Sequence, residues 1–168
     1  MARTIREPAR EIPVVDEVDV AVVGGGCAGL GAAVAAARNG ARVALIERLG
    51  FLGGAATATM MDVMQMFRAG DQKAVEGIGM EVLNRLRAEL DGVQDESPQR
   101  CYIDVEKFKF LADKMIEEAG VQPWLHTFGV FPYLEGKAVR GVVIESKAGR
   151  QAILAKVVVD ASGDGDIA

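Results

Sequence analysis

The sequence predicts an α/β fold, with a parallel β-sheet, helices on both of its faces and a small antiparallel β-meander. Three observations predict it. Residues 18–23 (VDVAVV) form an apolar run broken only by Asp19, as expected of a strand buried on both faces. That run leads through three consecutive glycines into an Ala-rich helical segment ending near Asn39, a turn at Gly40, and a second apolar run closed by Glu47. Much later, residues 138–145 and 150–156 read as two strands joined by a turn over 146–149, and a further apolar run, 157–159, follows them.

Composition bounds the function. With 168 residues, half of them hydrophobic and 26% charged, the chain has room for one globular domain with a good core. The net charge is −5 and the basic residues form no long cluster, which argues against nucleic acid and anionic membrane as partners. Cys27 and Cys101 lie far apart and form no C-x-x-C, so neither a disulfide framework nor a metal site is expected, in keeping with a reducing cytoplasm. The uncharged run 20–37 is long enough to span a bilayer, but it is mostly Gly and Ala and its triple glycine would interrupt a spanning helix. Residues 1–17 mix acids, bases and prolines without the apolar centre of a signal peptide, and are expected to form an extended arm before a domain over 18–168.

The first strand, turn and helix carry the chemistry. Gly24, Gly26 and Gly29 fill G-x-G-x-x-G. The first glycine permits a tight turn, the second lets a pyrophosphate approach the backbone, and the third lets the helix pack close to the strand. Free N–H groups at the helix start then favour phosphate. Glu47 stands where a carboxylate accepts hydrogen bonds from ribose hydroxyls. A glycine-rich turn that binds nothing would account for the glycines but not for Glu47. Cys27 sits at the helix start, where a thiol pKa can fall, but with no second cysteine nearby it reads as a small turn residue rather than a redox centre.

After Glu47, residues 48–59 (RLGFLGGAATAT) are rich in small residues and suggest close backbone approach to a ligand, or else a plain connector. Met60, Met61, Met64 and Met66 read as core filler. Val75, Ile78, Val82, Leu83, Leu86 and Leu90 have helical spacing, with Arg85, Arg87 and Glu89 on the wet side. Residues 91–99 read as a polar loop. Asp104 is placed to cap a helix carrying Phe108, Leu111, Ala112, Met115 and Ile116, which Gly120 stops. Glu117 and Glu118 in its last turn oppose the helix dipole. Residues 124–133 are β-prone, with Gly129 and Pro132 interrupting; the lone Trp124 and lone His126 read as packed residues. The run 157–159 ends in small residues, Ala161, Ser162 and Gly163, so a parallel sheet would bring this end beside the first glycine turn. Asp164 and Asp166 by themselves read as a solvated acidic turn.

TIREPAREIPVV, VDVAVVGGGCAGLGAAVAAARNG, GFLGGAAT and GRQAILAKVVVDASGDGDIA together resemble the FAD-dependent oxidoreductases of the glutathione-reductase-like flavoprotein superfamily, related to the fumarate-reductase group. The resemblance covers nearly the whole chain. It implies a Rossmann-like FAD-binding domain with FAD as cofactor and a small-molecule substrate. It places Gly24, Gly26, Cys27, Ala28 and Gly29 at the pyrophosphate and Glu47 at the adenosine ribose, followed by Arg48. It implies that Gly53, Gly54, Ala55 and Thr57 line the path towards the flavin, that the backbone near Gly129 and Val130 meets adenine, and that Ala161, Ser162, Gly163 and Asp166 lie against the ADP half. The closing A-S-G stands where the family usually has A-T-G. Because family members extend well beyond this length, the chain is expected to be an N-terminal FAD-binding portion, open to self-association where a substrate domain would dock. No catalytic acid or base is nominated. Two alternatives remain at this level, an NAD-binding dehydrogenase module and a non-catalytic nucleotide-binding fragment or subunit.

Overall fold

A computed structural model of the chain describes residues 3–65, 67–96 and 100–168. The elements follow in the order β1 (Val14–Val23), α1 (Cys27–Arg38), β2 (Val43–Ile46), α2 (Ala55–Ala58), β3 (Val63–Gln65), β4 (Arg68–Ala69), β5 (Gln72–Lys73), α3 (Ile78–Leu90), β6 (Val93–Glu96), β7 (Arg100–Ile103), α4 (Val105–Ala119), β8 (Gln122–Trp124), β9 (Phe128–Glu135), β10 (Ala138–Ser146) and β11 (Gly149–Asp160). The main sheet has the order β8-β2-β1-β11-β10-β9. Its first four strands are parallel, and β10 and β9 continue it antiparallel.

Alternation along β1 and β2 divides the core. Val20, Val22, Val43 and Leu45 face a cluster built with Leu30, Ala33 and Val34 of α1, Leu83 and Leu86 of α3, and Phe108, Leu111 and Met115 of α4. Ala21, Val23, Ala44 and Ile46 face the opposite way, onto Val142, Ile144, Ile153 and Ile167. The expected helices on both faces are therefore corrected. All three long helices cover one face, and the strands of the meander together with the closing turn cover the other.

Several local expectations are refined. β1 begins at Val14, so the arm ends earlier than residue 17, and Pro13 O accepts a hydrogen bond from Ala152 N–H (2.9 Å) where the arm joins the sheet. The returning meander strand and the run 157–159 are one strand of 12 residues, β11, since no turn residue separates them. Residues 149–154 pair with β10 and residues 152–160 with β1, so that 152–154 are paired on both sides and Val23 comes opposite Asp160. Pro132 is accommodated because β9 is an edge strand. Within the expected 91–99 loop, Val93–Glu96 instead pairs with β7, while 97–99 lie outside the described residues. Val75 precedes its helix, which starts at Ile78. Met60 and Met61 are 62% and 50% exposed, Met64 packs against the core, and Met66 lies outside the described residues, so the methionines are not uniformly core. Asp104 caps α4 as its sequence position suggests, accepting hydrogen bonds from Glu106 and Lys107 N–H, and Gly120 ends that helix in a left-handed conformation.

Among the described residues, no helix is long and apolar enough to cross a membrane. The uncharged run 20–37 is the end of β1, the glycine turn and α1.

Candidate dinucleotide site

The carboxyl ends of β1, β2 and β11 converge on one edge of the sheet. Gly24 N–H donates to Ile46 O (2.8 Å) and Ala161 N–H to Val23 O (2.8 Å), so the three strand ends are tied together. The motif glycines serve different purposes. A Cβ on Gly24, whose φ is +100°, would lie 2.3 Å from Ala161 O, and one on Gly29 would lie 1.7 Å from Gly24 O. Both positions must be glycine for the chain to fold this way. Gly26 differs. Its φ is −71°, and a Cβ there would meet nothing closer than Gly54 Cα at 3.8 Å. The fold has no need of glycine at this position, and the space it leaves lies at the N-terminus of α1. No side chain caps α1 and its first turn holds no acid, in contrast to α4 with its Asp104 cap. Backbone donors and the positive end of the helix dipole face that space.

The loop after β2 is fastened against this turn. Gly53 N–H donates to Gly25 O (2.9 Å), and Gly26 and Gly53 pair as an isolated parallel bridge. Gly54, at φ +56°, crosses so closely that a Cβ would stand 2.8 Å from Gly26 Cα. From behind, the Phe108 ring fills the space beside Gly53, and Lys109 Nζ stands 4.4 Å from the centroid of the Phe51 ring, a cation–π contact. Ala55, at the start of α2, is exposed beside the turn. Thr57 requires correction as a candidate cofactor contact. It is 2% exposed and its hydroxyl donates to Leu52 O (2.8 Å), so it holds the loop in shape instead of facing a ligand.

Glu47 is 6% exposed. Its Oε2 accepts from Gly25 N–H (2.7 Å) and its Oε1 from Leu49 N–H (2.7 Å). An ionised carboxylate has about four lone-pair sites, so each oxygen keeps capacity for a hydroxyl donor. The backbone of Glu47 is clamped as well: its N–H donates to Trp124 O (2.9 Å), its carbonyl accepts from Thr127 N–H (3.0 Å), and Leu49 O accepts from His126 N–H (3.0 Å). Around this carboxylate lies a cleft of about 60 Å³, lined also by Arg48, Thr127, Phe128, Gly129, Ser162, Asp164 and Asp166. Gly129 lines it where a Cβ would lie 2.5 Å from Val23 Cγ1; the half-buried Val130 is not among its lining residues. Arg48 is exposed at the rim.

The closing turn folds on itself. Asp160 Oδ1 accepts from Ser162 N–H (3.0 Å) and from the Ser162 hydroxyl (2.7 Å), and Oδ2 accepts from Ile167 N–H (2.9 Å). Ser162 Oγ in turn accepts from Gly165 N–H (3.1 Å) and Asp166 N–H (3.0 Å). Burial alone would raise the Asp160 pKa, but the hydrogen bonds from the Ser162 hydroxyl and from backbone N–H groups outweigh it and hold the carboxyl below its ordinary range. Gly163, exposed at φ +94°, turns the chain, and Ala161 backs Gly24.

Cys27 and Ala28 are both exposed at the head of α1. Cys27 Sγ stands 3.8 Å from Gly53 O, and loss of water around it pushes the thiol pKa up, opposing the activation a helix N-terminus can give. His126, at φ +52°, is exposed but stands over Gly50, where a Cβ would lie 2.5 Å from its Nε2.

The model of the family described as FAD dependent oxidoreductase matches residues 19–168. The chain belongs to that family. No curated protein sequence matches it. Among solved structures, THI4 of Thermovibrio ammonificans is 26% identical at a TM-score of 0.64, the match covering 87% of this chain and 57% of that one. The open conformation of a flavocytochrome c3 fumarate reductase is 22% identical at 0.60, covering 88% and 34%. A 3-ketosteroid dehydrogenase of Rhodococcus jostii is 20% identical at 0.63, covering 87% and 46%; at these lower identities the likeness is one of fold. The chain thus spans between about a third and somewhat over half the length of these structures.

For a member of the FAD-dependent oxidoreductases, the sequence reading omitted four residues that build this edge. Gly25 donates to Glu47, and a Cβ on it would lie 2.5 Å from Leu52 Cδ2. Thr127 and Phe128 line the cleft, and Asp160 organises the closing turn. Asp160 had a visible signal, since it ends an apolar strand just as Glu47 does. Thr127 and Phe128 had none, because the clamp joining 124–127 to 47–49 links segments distant in sequence.

Proposed function

We propose that this chain forms the dinucleotide-binding part of a flavin-dependent oxidoreductase and holds the ADP half of FAD along the edge described above. The observation that carries the reading is Gly26: a glycine the fold does not require, at the uncapped start of α1, leaving open the approach that a pyrophosphate needs. In this reading the pyrophosphate lies over Gly24, Gly26, Cys27, Ala28 and Gly29. Gly53, Gly54 and Ala55 continue the path towards the flavin. Glu47 receives the ribose hydroxyls through its remaining lone pairs, with Arg48 outside at the rim. Thr127, Phe128 and Gly129 bound the adenine, and Ala161, Ser162, Gly163 and Asp166 close the side opposite Glu47.

When bound, FAD supplies the capacity to accept a hydride or electrons from a small organic substrate, while the protein supplies position, electrostatics and shelter from water. We place the protein in the cytoplasm, in keeping with two cysteines that form no disulfide with each other. The test is calorimetric titration of FAD, ADP and FMN against the chain and its Gly26→Val variant. The reading expects binding of FAD and ADP that the substitution abolishes, and little binding of FMN, which lacks the adenosine. Unchanged FAD affinity in Gly26→Val would remove the assignment of this turn.

A further inference from the structure

Beneath the N-terminal half of α1, on the helix-covered face, lies a second cavity of about 280 Å³. Its floor is buried and apolar, with Leu30 and Phe108 each 1% exposed and Val82 at 5%. Its mouth is bounded by the exposed Cys27, Ala55 and Met61. No charged residue is among its described lining residues. Two glycines line it, Gly31 of α1 and Gly79 of α3.

Gly31 is the informative one. Glycine is the poorest helix former after proline, and this one sits inside a helix. Gly29, two residues earlier, has a structural reason, since its Cβ would strike Gly24 O. A Cβ on Gly31 would meet nothing within 4 Å. Helix propensity favours alanine there, and no neighbour in the fold requires glycine. Its effect is to keep the wall of the cavity flat and wide.

We propose that this cavity is a binding site for a small, uncharged, flat apolar molecule of about the size of a fused bicyclic ring, separate from the dinucleotide edge. The size follows from the volume, since a dry apolar cavity of about 150 Å³ already accepts a benzene ring. The chemistry follows from the lining. Aliphatic and aromatic walls with thioether sulfur from Met61 and Met64 favour a polarizable ring, and desolvation disfavours a charged one, which would find no partner among the described lining residues. Cys27 and Ala55, which the proposed dinucleotide path also meets, form the shared border, while the floor with Leu30, Val82 and Phe108 belongs to this cavity alone.

Indole serves as the probe and indole-3-carboxylate as its charged control. Saturation-transfer NMR on the chain is expected to show saturable indole binding, no binding of the carboxylate, and no displacement of indole by saturating ADP. Indole is also expected to slow iodoacetamide alkylation of Cys27 at least fivefold, with Cys101, 3% exposed, as the protected internal reference. Gly31→Leu, which fills the cavity from α1, is expected to abolish both effects while leaving ADP affinity and the circular dichroism spectrum unchanged. Equal binding of the carboxylate, displacement by ADP, or undiminished indole binding in Gly31→Leu would each overturn the proposal. Should Gly31→Leu not fold, protection of Cys27 in the wild-type chain decides: without it the proposal fails.

Discussion

Of the three motif glycines, two serve the fold and one does not, and substitutions separate them. Alanine at Gly29 forces a Cβ to within 1.7 Å of Gly24 O, an overlap that only backbone movement relieves. Overpacking of this kind costs about 1–3 kcal/mol and sometimes more, so Gly29→Ala is expected to lower the unfolding midpoint strongly in calorimetry, with or without ligand. Alanine at Gly26 meets only a contact at 3.8 Å, and its effect on stability should stay within about 0.5 kcal/mol. Its effect should instead appear in FAD affinity, as a loss of at least tenfold. If both variants lost stability equally, the division of roles would be wrong. Glu47 joins the two roles. Its carboxylate satisfies Gly25 and Leu49 N–H, so Glu47→Ala leaves two inward-facing donors without a partner, at about 1–3 kcal/mol each. The variant should therefore lose apo stability as well as about 1–3 kcal/mol of FAD binding, the two being measured by thermal unfolding and titration respectively.

At the scale of elements, α3 and α4 are joined by charge as well as by apolar packing. Arg85 of α3 donates to Glu118 (2.7 Å) and Glu89 (2.7 Å), and Lys114 of α4 donates to Glu89 (2.7 Å). This cluster accounts for Glu118 in the last turn of α4, where the dipole disfavours an acid: its partner is across the helix pair, not along its own axis. Hydrogen bonds from Arg85, and then from Lys114, bring the Glu89 pKa down to about 2, and Arg85 lowers that of Glu118. A carboxyl with a lowered folded pKa adds stability that is complete above its unfolded value and is lost as pH falls through the folded one. The wild-type unfolding midpoint should thus fall between about pH 5 and pH 2. Arg85→Met should flatten that part of the curve; an unaltered acid slope would show that the cluster contributes nothing. The cluster also marks the limit of sequence reading. The β1–turn–α1–β2 unit and the Asp104 cap were legible because each is written in neighbouring residues. That Glu118 meets Arg85 and that the long helices share one face depend on contacts between distant segments, which periodicity does not encode. The continuous β11 was misread for the opposite reason: a local change in composition at Val157 suggested a boundary that the backbone does not make.

For the molecule as a whole, the question is how much of a FAD site one chain supplies. The residues proposed for the ADP half are held from several sides: the glycine turn by β11, Glu47 by the 124–127 segment, and the closing turn by its own Asp160 network. In the proposed reading the loop at Gly53–Gly54 leads towards the flavin, and the chain spans 57% or less of the solved structures described above. Only the surplus of contacts over the cost of association appears as affinity. ADP is therefore expected to bind the isolated chain within about tenfold of FAD, both weakly, since the isoalloxazine ring adds few contacts. The meander also exposes Phe128, Leu134 and Val157 at 56%, 51% and 53%, apolar surface that favours association at high concentration. Parallel titrations of ADP and FAD, run at two protein concentrations with light scattering to follow the oligomeric state, test both points. FAD retained through gel filtration while ADP washes away would mean that the flavin end is already complete in these 168 residues. The site would then extend well beyond the edge formed by β1, β2 and β11.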